Sequence, residues 1–169
     1  MTTVVFDFEG TIKNNCNVYD PETYVCLLVI KVISEHSTQL LSFKKPWDVG
    51  RINEILSSAK LLIGFNLKFD LSWARREFGF IPKFGTRMFD PQYAEFLFSN
   101  QTWKFPNLSE SCQKRGLNPK HEYIKENYWD KGIDTIDIPE NELEEYCIND
   151  VEITYDLYLT HMKMFEGEY

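Results

Sequence analysis

Residues 4–10, VVFDFEG, read as a buried β-strand interrupted by two carboxylates. Side chains alternate faces along a strand, so Val5, Asp7 and Glu9 share one side while Val4, Phe6 and Phe8 share the other. Like charges at that spacing repel in partly dry surroundings, and a proton or a cation must relieve the repulsion. The same residues admit a plainer reading, in which Glu9 is the solvated, frayed end of the strand beside a turn at Gly10.

Outward from this strand, three runs of strand character, Thr3 to Phe8, Tyr24 to Ile33 and Gln39 to Phe43, are separated by short polar loops and predict an antiparallel meander. A helix is expected over 48–59, with Asp48 as N-cap and Ile52, Ile55 and Leu56 on one face. LLIGFN (61–66) suits a short strand buried on both sides. LKFDLSWARREFG (67–79) suits a helix that buries Phe69, Trp73 and Phe78 and stops at Gly79. Beyond Gly85 the pattern is helical but broken. DPQYAEFLFS (90–99) has a proline in its first turn after an aspartate cap, LSESCQKRG (108–116) ends on glycine, and Asn118 to Ile138 reads as mixed loop and short helix. The last helix opens at Pro139, with Glu140, Glu142, Glu144 and Glu145 in its first turns, where the helix dipole favours negative charge. This order predicts one α/β layered domain over 1–169 with a mixed sheet.

A chain of 169 residues can bury about two-thirds of its unfolded surface, so it needs no disulfide or metal to fold. Cys16, Cys26, Cys112 and Cys147 are scattered without paired spacing, which fits a reduced setting. No basic segment precedes the first strand and no apolar run approaches the roughly 20 residues of a membrane span. The expectation is a soluble, cytoplasmic protein with no membrane partner. A net charge of −8 and a pI near 4.9 weigh against a broad basic surface that clamps duplex nucleic acid. They do not weigh against a metal site, which itself collects acids.

Two further anomalies match the first. Asn66 and Asp70 lie four residues apart where a buried strand turns into a helix, so both can project from the same face of its first turn. Asn66 can be read as an N-cap; Asp70, between Phe69 and Leu71, has no capping role. In the last helix the stripe Leu143, Cys147, Asp150, Thr154, Leu157 puts an aspartate on the face that should be apolar, with Tyr146 one turn earlier. A buried arginine or lysine could neutralise Asp150 alone. Four inward acids together suit two-metal phosphodiester hydrolysis, in which hard oxygen ligands hold two Mg²⁺ or Mn²⁺ ions about 3.5–4 Å apart.

FDFEG, NLKFD and YCIND resemble, in order and spacing, the three motifs of the DEDD 3′-to-5′ exonucleases in the tyrosine subclass, and GFNLKFD is especially similar to the proofreading domain of family A DNA polymerases. The resemblance spans residues 7–150 and implies a ribonuclease H-like fold whose mixed sheet is flanked by helices. It further implies that Asp7 bridges two metals, that Glu9 and Asp150 complete one metal site, and that Asp70 serves the other. Tyr146 would orient the attacking water, where the other subclass uses a histidine; His36, His121 and His161 lie outside the motif. Asn66 and Phe69 would face the terminal nucleotide. Gly10 stands where such proofreading domains carry threonine, so contact of Gly10 or Thr11 with the 3′ end is a looser expectation.

The implied activity is hydrolysis of single-stranded 3′ ends, DNA rather than RNA, to nucleoside 5′-monophosphates in proofreading or end-trimming. Ending about nineteen residues after Asp150, the chain carries no polymerase domain, so it would act beside a separate polymerase, as a small phage-type replication nuclease would, or be one domain of a longer protein. Two alternatives remain: an exoribonuclease or oligonucleotide hydrolase with the same chemistry, and a non-catalytic nucleic-acid-binding polymerase accessory. The basic pairs Lys44 and Lys45, Arg75 and Arg76, Lys83 and Arg87, and Lys114 and Arg115 read mainly as solvated faces. Trp103, Phe105, Tyr123, Tyr128 and Trp129 could stack on bases or pack in the core.

Overall fold

The computed structural model describes residues 2–102, 104–118 and 122–167; Trp103 and His121 lie outside them. Its centre is a five-stranded sheet of β1 (Thr3–Gly10), β2 (Val25–Ile33), β3 (Thr38–Lys44), β4 (Leu61–Ile63) and β5 (Arg87–Phe89), in the order β3-β2-β1-β4-β5. β1, β2 and β3 form the expected antiparallel meander, and β4 and β5 run parallel to β1. The fold is therefore α/β with a mixed sheet. β5 departs from expectation, because the chain beyond Gly85 read as helical. Three residues, two of them exposed, carry no alternation to read; the strand exists because β4 offers a parallel ladder from Leu61↔Arg87 to Ile63↔Phe89.

Alternation along β1 separates two cores. Val4, Phe6 and Phe8 pack with Leu28, Ile30 and Leu62 under α1 (Val49–Ser58) and α2 (Leu67–Phe78). Fully buried Trp73 of α2 anchors this layer, and burial of a side chain of this class contributes about 1.5–3 kcal/mol or more. α1 starts where its cap predicts, the Asp48 carboxylate accepting the Arg51 N–H at 3.0 Å, and it buries Ile52 and Leu56 while Ile55 stays at the margin. α2 stops at Gly79, whose φ of 66° is a left-handed conformation that glycine adopts without strain.

Val5, Leu27, Val29 and Ile63 face the other way, against α6 (Glu140–Glu166). The stripe Leu143, Cys147, Asp150, Thr154 and Leu157 is buried throughout, so the helical period read from the sequence holds. Between the two sit α3 (Pro91–Phe98), α4 (Leu108–Arg115) and α5 (Tyr123–Asn127), followed by short 3₁₀ turns at Trp129–Lys131 and Thr135–Asp137, the mixed region expected before Pro139. No helix among the described residues is long and apolar enough to cross a membrane.

One mismatch of strand lengths positions everything that follows. β1 pairs with β4 only from Thr3↔Leu61 to Val5↔Ile63, then runs on alone on that side to Gly10. Open α/β sheets bind ligands outside the carboxyl ends of their parallel strands, and here that opening lies beside Asp7 and Glu9.

Candidate active site

Glu9 is 8% exposed and β1 continues past it to Gly10, so it is an inward carboxylate and not a frayed end. Asp7, half-buried, lies on the same face. Asp70 reaches them from the first turn of α2: its Oδ1 accepts the backbone N–H of Phe8 at 3.3 Å, a donor left over where β4 has ended. Its Oδ2 is fully buried and has no hydrogen-bond partner. Burial foremost, then the charge of Asp7, pushes the Asp70 carboxyl well above the usual range, with Glu9 adding to the effect.

The turn that aims Asp70 is built by residues read differently from sequence. Asn66 occupies the N-cap position, but at φ 62°, and its side chain makes no capping bond. Asparagine is among the few residues that tolerate this left-handed conformation. The capping is done by Asp90, which accepts from the N–H groups of Asn66 at 3.1 Å and Leu67 at 3.0 Å. Asp90 also accepts from Gln92 at 2.9 Å at the start of α3, so one carboxylate serves two helices. The sequence signal, an aspartate before Pro91, pointed only to α3. Gly64 completes the turn: a β-carbon there would stand 3.1 Å from Asp70 Oδ2 and 3.3 Å from the Phe6 carbonyl.

From the opposite side α6 brings Tyr146 and Asp150, 4% and 5% exposed. Burial, followed by the charges of Asp150, Glu9 and Asp7, drives the Tyr146 phenol far above its ordinary value, which keeps the hydroxyl neutral. Trp129 holds the tyrosine ring edge-on, with centroids 5.4 Å apart. Lys31, a buried lysine, pairs with Glu152. Cys147, read as a core residue, also reaches the carboxylates: its Sγ lies 3.5 Å from Asp7 Oδ2 and 3.7 Å from the Asp7 carbonyl. A cavity of about 490 Å³ opens beside Tyr146, lined also by Tyr123, Ile124, Glu142, Glu145 and Asn149.

Asp7, Glu9, Asp70, Tyr146 and Asp150 thus come from three elements into one electrostatically coupled cluster. The donor set fits divalent cations. Ligand atoms of Asp7, Glu9 and Cys147 lie within 4.8 Å of one another, and the buried Asp70 oxygen lacks a partner. A buried polar atom of this kind carries a desolvation cost that a cation would offset.

Gly10 and Thr11 are drawn into the fold. A β-carbon on Gly10 would stand 2.5 Å from both Cys16 Sγ and the Tyr24 carbonyl, and the Gly10 carbonyl accepts from the Thr135 hydroxyl. Thr11, 2% exposed, donates its hydroxyl to Asp134 Oδ2 at 2.9 Å. Asp134 also accepts from the Ile12 N–H at 3.0 Å and the Tyr24 hydroxyl at 2.9 Å. This hub, absent from the sequence reading, staples the end of β1 to the segment before α6. Asn66 and Phe69 are half-buried, the Phe69 ring edge-on to Trp73 at 6.5 Å.

Most of the residues in the basic pairs are exposed, as expected, but several also have partners. Lys44 pairs with Glu140 and Glu144, Lys45 with Glu77, and Arg115 with Glu95, while Arg76 donates to the carbonyls of Val18, Asp20 and Thr23. Several of the loop aromatics are likewise tied down: Phe105 stacks on Phe96 at 4.6 Å, Tyr128 donates to Glu142, and Trp129 to Thr135. Tyr123 remains about half exposed.

Comparison with known proteins agrees with this arrangement. No curated protein sequence matches the chain at a significant level. A family model described as 3′-5′ exonuclease, that of the exonuclease domain of family A DNA polymerases, matches residues 1–166. The match takes in all three acidic motifs and the ribonuclease H-like sheet that carries them, and the chain belongs to this 3′-5′ exonuclease family.

Proposed function

We propose that the protein removes nucleotides from the 3′ ends of single-stranded DNA, releasing nucleoside 5′-monophosphates, and that it proofreads or trims ends beside a DNA polymerase. The observation that carries this reading is Asp70: a fully buried carboxylate, one oxygen without a partner, in the field of two more acids on β1. Asp7, Glu9, Asp70 and Asp150 would hold two divalent cations, Mg²⁺ or Mn²⁺. When bound, such a pair lowers the pKa of a water and stabilises charge on the attacking and leaving oxygens of an in-line displacement.

The chain's own contribution is placement. Tyr146, neutral and braced by Trp129, can both donate to and accept from a water and so orient it. Asn66 and Phe69 would meet the terminal nucleotide by hydrogen bond and by ring packing. Gly10 and Thr11 are held by internal partners, so their contribution would be to keep the strand end in place.

Gel analysis of matched, end-labelled DNA and RNA single strands with Mn²⁺ tests this, using Asp7→Ala as control. The parent should shorten DNA from its 3′ end and Asp7→Ala should not, although both are folded. Equal cleavage by parent and variant would sink the mechanism. Much faster shortening of RNA would replace the substrate by an oligoribonucleotide, and metal binding without turnover would favour a binding accessory.

A further inference from the structure

Trp129 lies edge-on to Tyr146 and is itself held through one buried hydroxyl. Its indole N–H donates to the Thr135 hydroxyl at 3.1 Å, and that hydroxyl donates in turn to the Gly10 carbonyl. A hydroxyl accepts and donates at once, which an apolar side chain of the same shape cannot do. Thr135 is fully buried at the start of the turn Thr135–Asp137, so water does not compete for either bond. Gly10 follows Glu9 at the point where the pairing of β1 with β2 slips by one residue, from Glu9↔Leu27 to Gly10↔Val25. One side chain thus ties the irregular end of β1 to the ring that packs against Tyr146 of α6.

We propose that Thr135 is a positioning residue for hydrolysis, which through Trp129 fixes the Tyr146 ring, and with it the phenol hydroxyl, relative to Glu9 at the end of β1. Edge-on ring contact has a preferred geometry, so a fixed indole restrains the tilt of the tyrosine ring. The hydroxyl sits at the far end of that ring, and displacing an orienting group by about 1 Å can cost about a hundredfold in rate. The strand end has other anchors: Asp134 accepts from the Thr11 hydroxyl and the Ile12 N–H. Loss of the Thr135 hydroxyl therefore leaves Glu9 in place and takes the anchor from the indole. The inference rests on the exonuclease reading, and within it on Tyr146 as the group that orients water.

The test is steady-state cleavage of end-labelled single-stranded DNA with Mn²⁺ by the parent, Thr135→Val, Thr135→Ser, Tyr146→Phe and the double variant Thr135→Val with Tyr146→Phe, with thermal melts to establish that each is folded. Thr135→Val keeps the shape and loses the hydroxyl, so its kcat should fall about tenfold or more, with KM and the Mn²⁺ concentration for half-maximal cleavage unchanged. Thr135→Ser, which keeps the hydroxyl, should recover most of the loss. In the Tyr146→Phe background the valine substitution should cost less than about twofold, because the group it positions is already gone. A full loss in that background, serine as slow as valine, or a raised Mn²⁺ requirement overturns the role. Should Thr135→Val not fold, Trp129→Phe, which keeps a ring and loses the N–H, replaces it in the same cycle, and the same kcat, background and Mn²⁺ outcomes decide. No cleavage by the parent refutes the exonuclease reading and the positioning role together, whereas an active parent with an equally active Thr135→Val refutes the role alone.

Discussion

Asp70 Oδ1 accepts the backbone N–H of Phe8 at 3.3 Å, joining residues 62 positions apart. The bond exists because β1 outruns β4, leaving a strand donor that the helix after β4 can satisfy. One carboxylate oxygen is thereby anchored and the other is left buried without a partner, in the field of Asp7 and Glu9.

That placement costs stability in the metal-free protein. An acid whose pKa is raised on folding loses stability as pH climbs above its unfolded value of about 3.8, and at neutral pH the loss is present. Asp70→Asn keeps an acceptor for Phe8 and removes the charge. Thermal melts at neutral pH should therefore show metal-free Asp70→Asn melting above the metal-free parent. Saturating Mn²⁺ should raise the parent's melting temperature and raise the variant's much less, with EDTA reversing the shift. Equal metal-induced shifts would mean that Asp70 does not share the site.

Tyr146→Phe removes a hydroxyl and preserves the ring against Trp129. Cleavage at saturating substrate should fall about a hundredfold, the usual scale for a lost proton-handling or orienting group, with KM little changed. Because the phenol is held neutral, the variant should keep the shape of the parent's pH–rate profile. A profile that loses a limb would instead identify the phenol as a titrating base.

Gly64→Ala probes the turn itself. The new methyl would meet Leu67 Cδ1 at 2.9 Å and Asp70 Oδ2 at 3.1 Å. Overpacking of this kind costs about 1–3 kcal/mol, which urea denaturation would measure. The Mn²⁺ concentration needed for half-maximal cleavage should also rise, since the displaced atom would be a metal ligand under the proposed function. Lost stability with unchanged metal dependence would contradict that reading.

A separate network staples α3, α4 and α6. Glu95 is fully buried, receives two hydrogen bonds from Arg115 at 2.6 and 2.7 Å, and lies 2.7 Å from His161 Nε2. Burial alone would raise its pKa, but the bonds from His161 and Arg115 outweigh burial and bring it from 4.5 down to about 2. A depressed acid contributes stability above its unfolded pKa and loses it as pH falls through its folded value. The parent should thus lose stability between about pH 4.5 and 2, and Glu95→Gln should lose less over that window. At neutral pH the variant should be less stable by urea denaturation, by up to about 3–5 kcal/mol, because the ion pair of Arg115 with buried Glu95 is broken. Parallel pH curves for the two proteins would exclude this role.

The candidate acids were legible because two local periods expose them. Alternation along β1 set Asp7 and Glu9 on one face, and the three-to-four residue stripe of α6 put Asp150 among apolar neighbours; both periods follow from backbone geometry within one element. The cap at Asp48 and the stop at Gly79 were legible for the same reason. β5 was not, being three residues long with pairing as its only support. Nor were the roles of Asp90 and Asp134, whose partners include residues far away in sequence: Asn66 and Leu67 for the one, Thr11 and Tyr24 for the other.

By itself, then, the sequence determined which side chains are anomalous, the acids on faces that must be buried, because each anomaly is defined within a single strand or helix. Only the tertiary structure decided that they meet. It also decided that Asp90, not Asn66, caps α2, that Gly10 and Thr11 are locked inward, and that Cys147 touches Asp7. Those outcomes depend on where β4 stops against β1 and how α6 crosses the sheet, which packing of distant elements sets and no local period encodes.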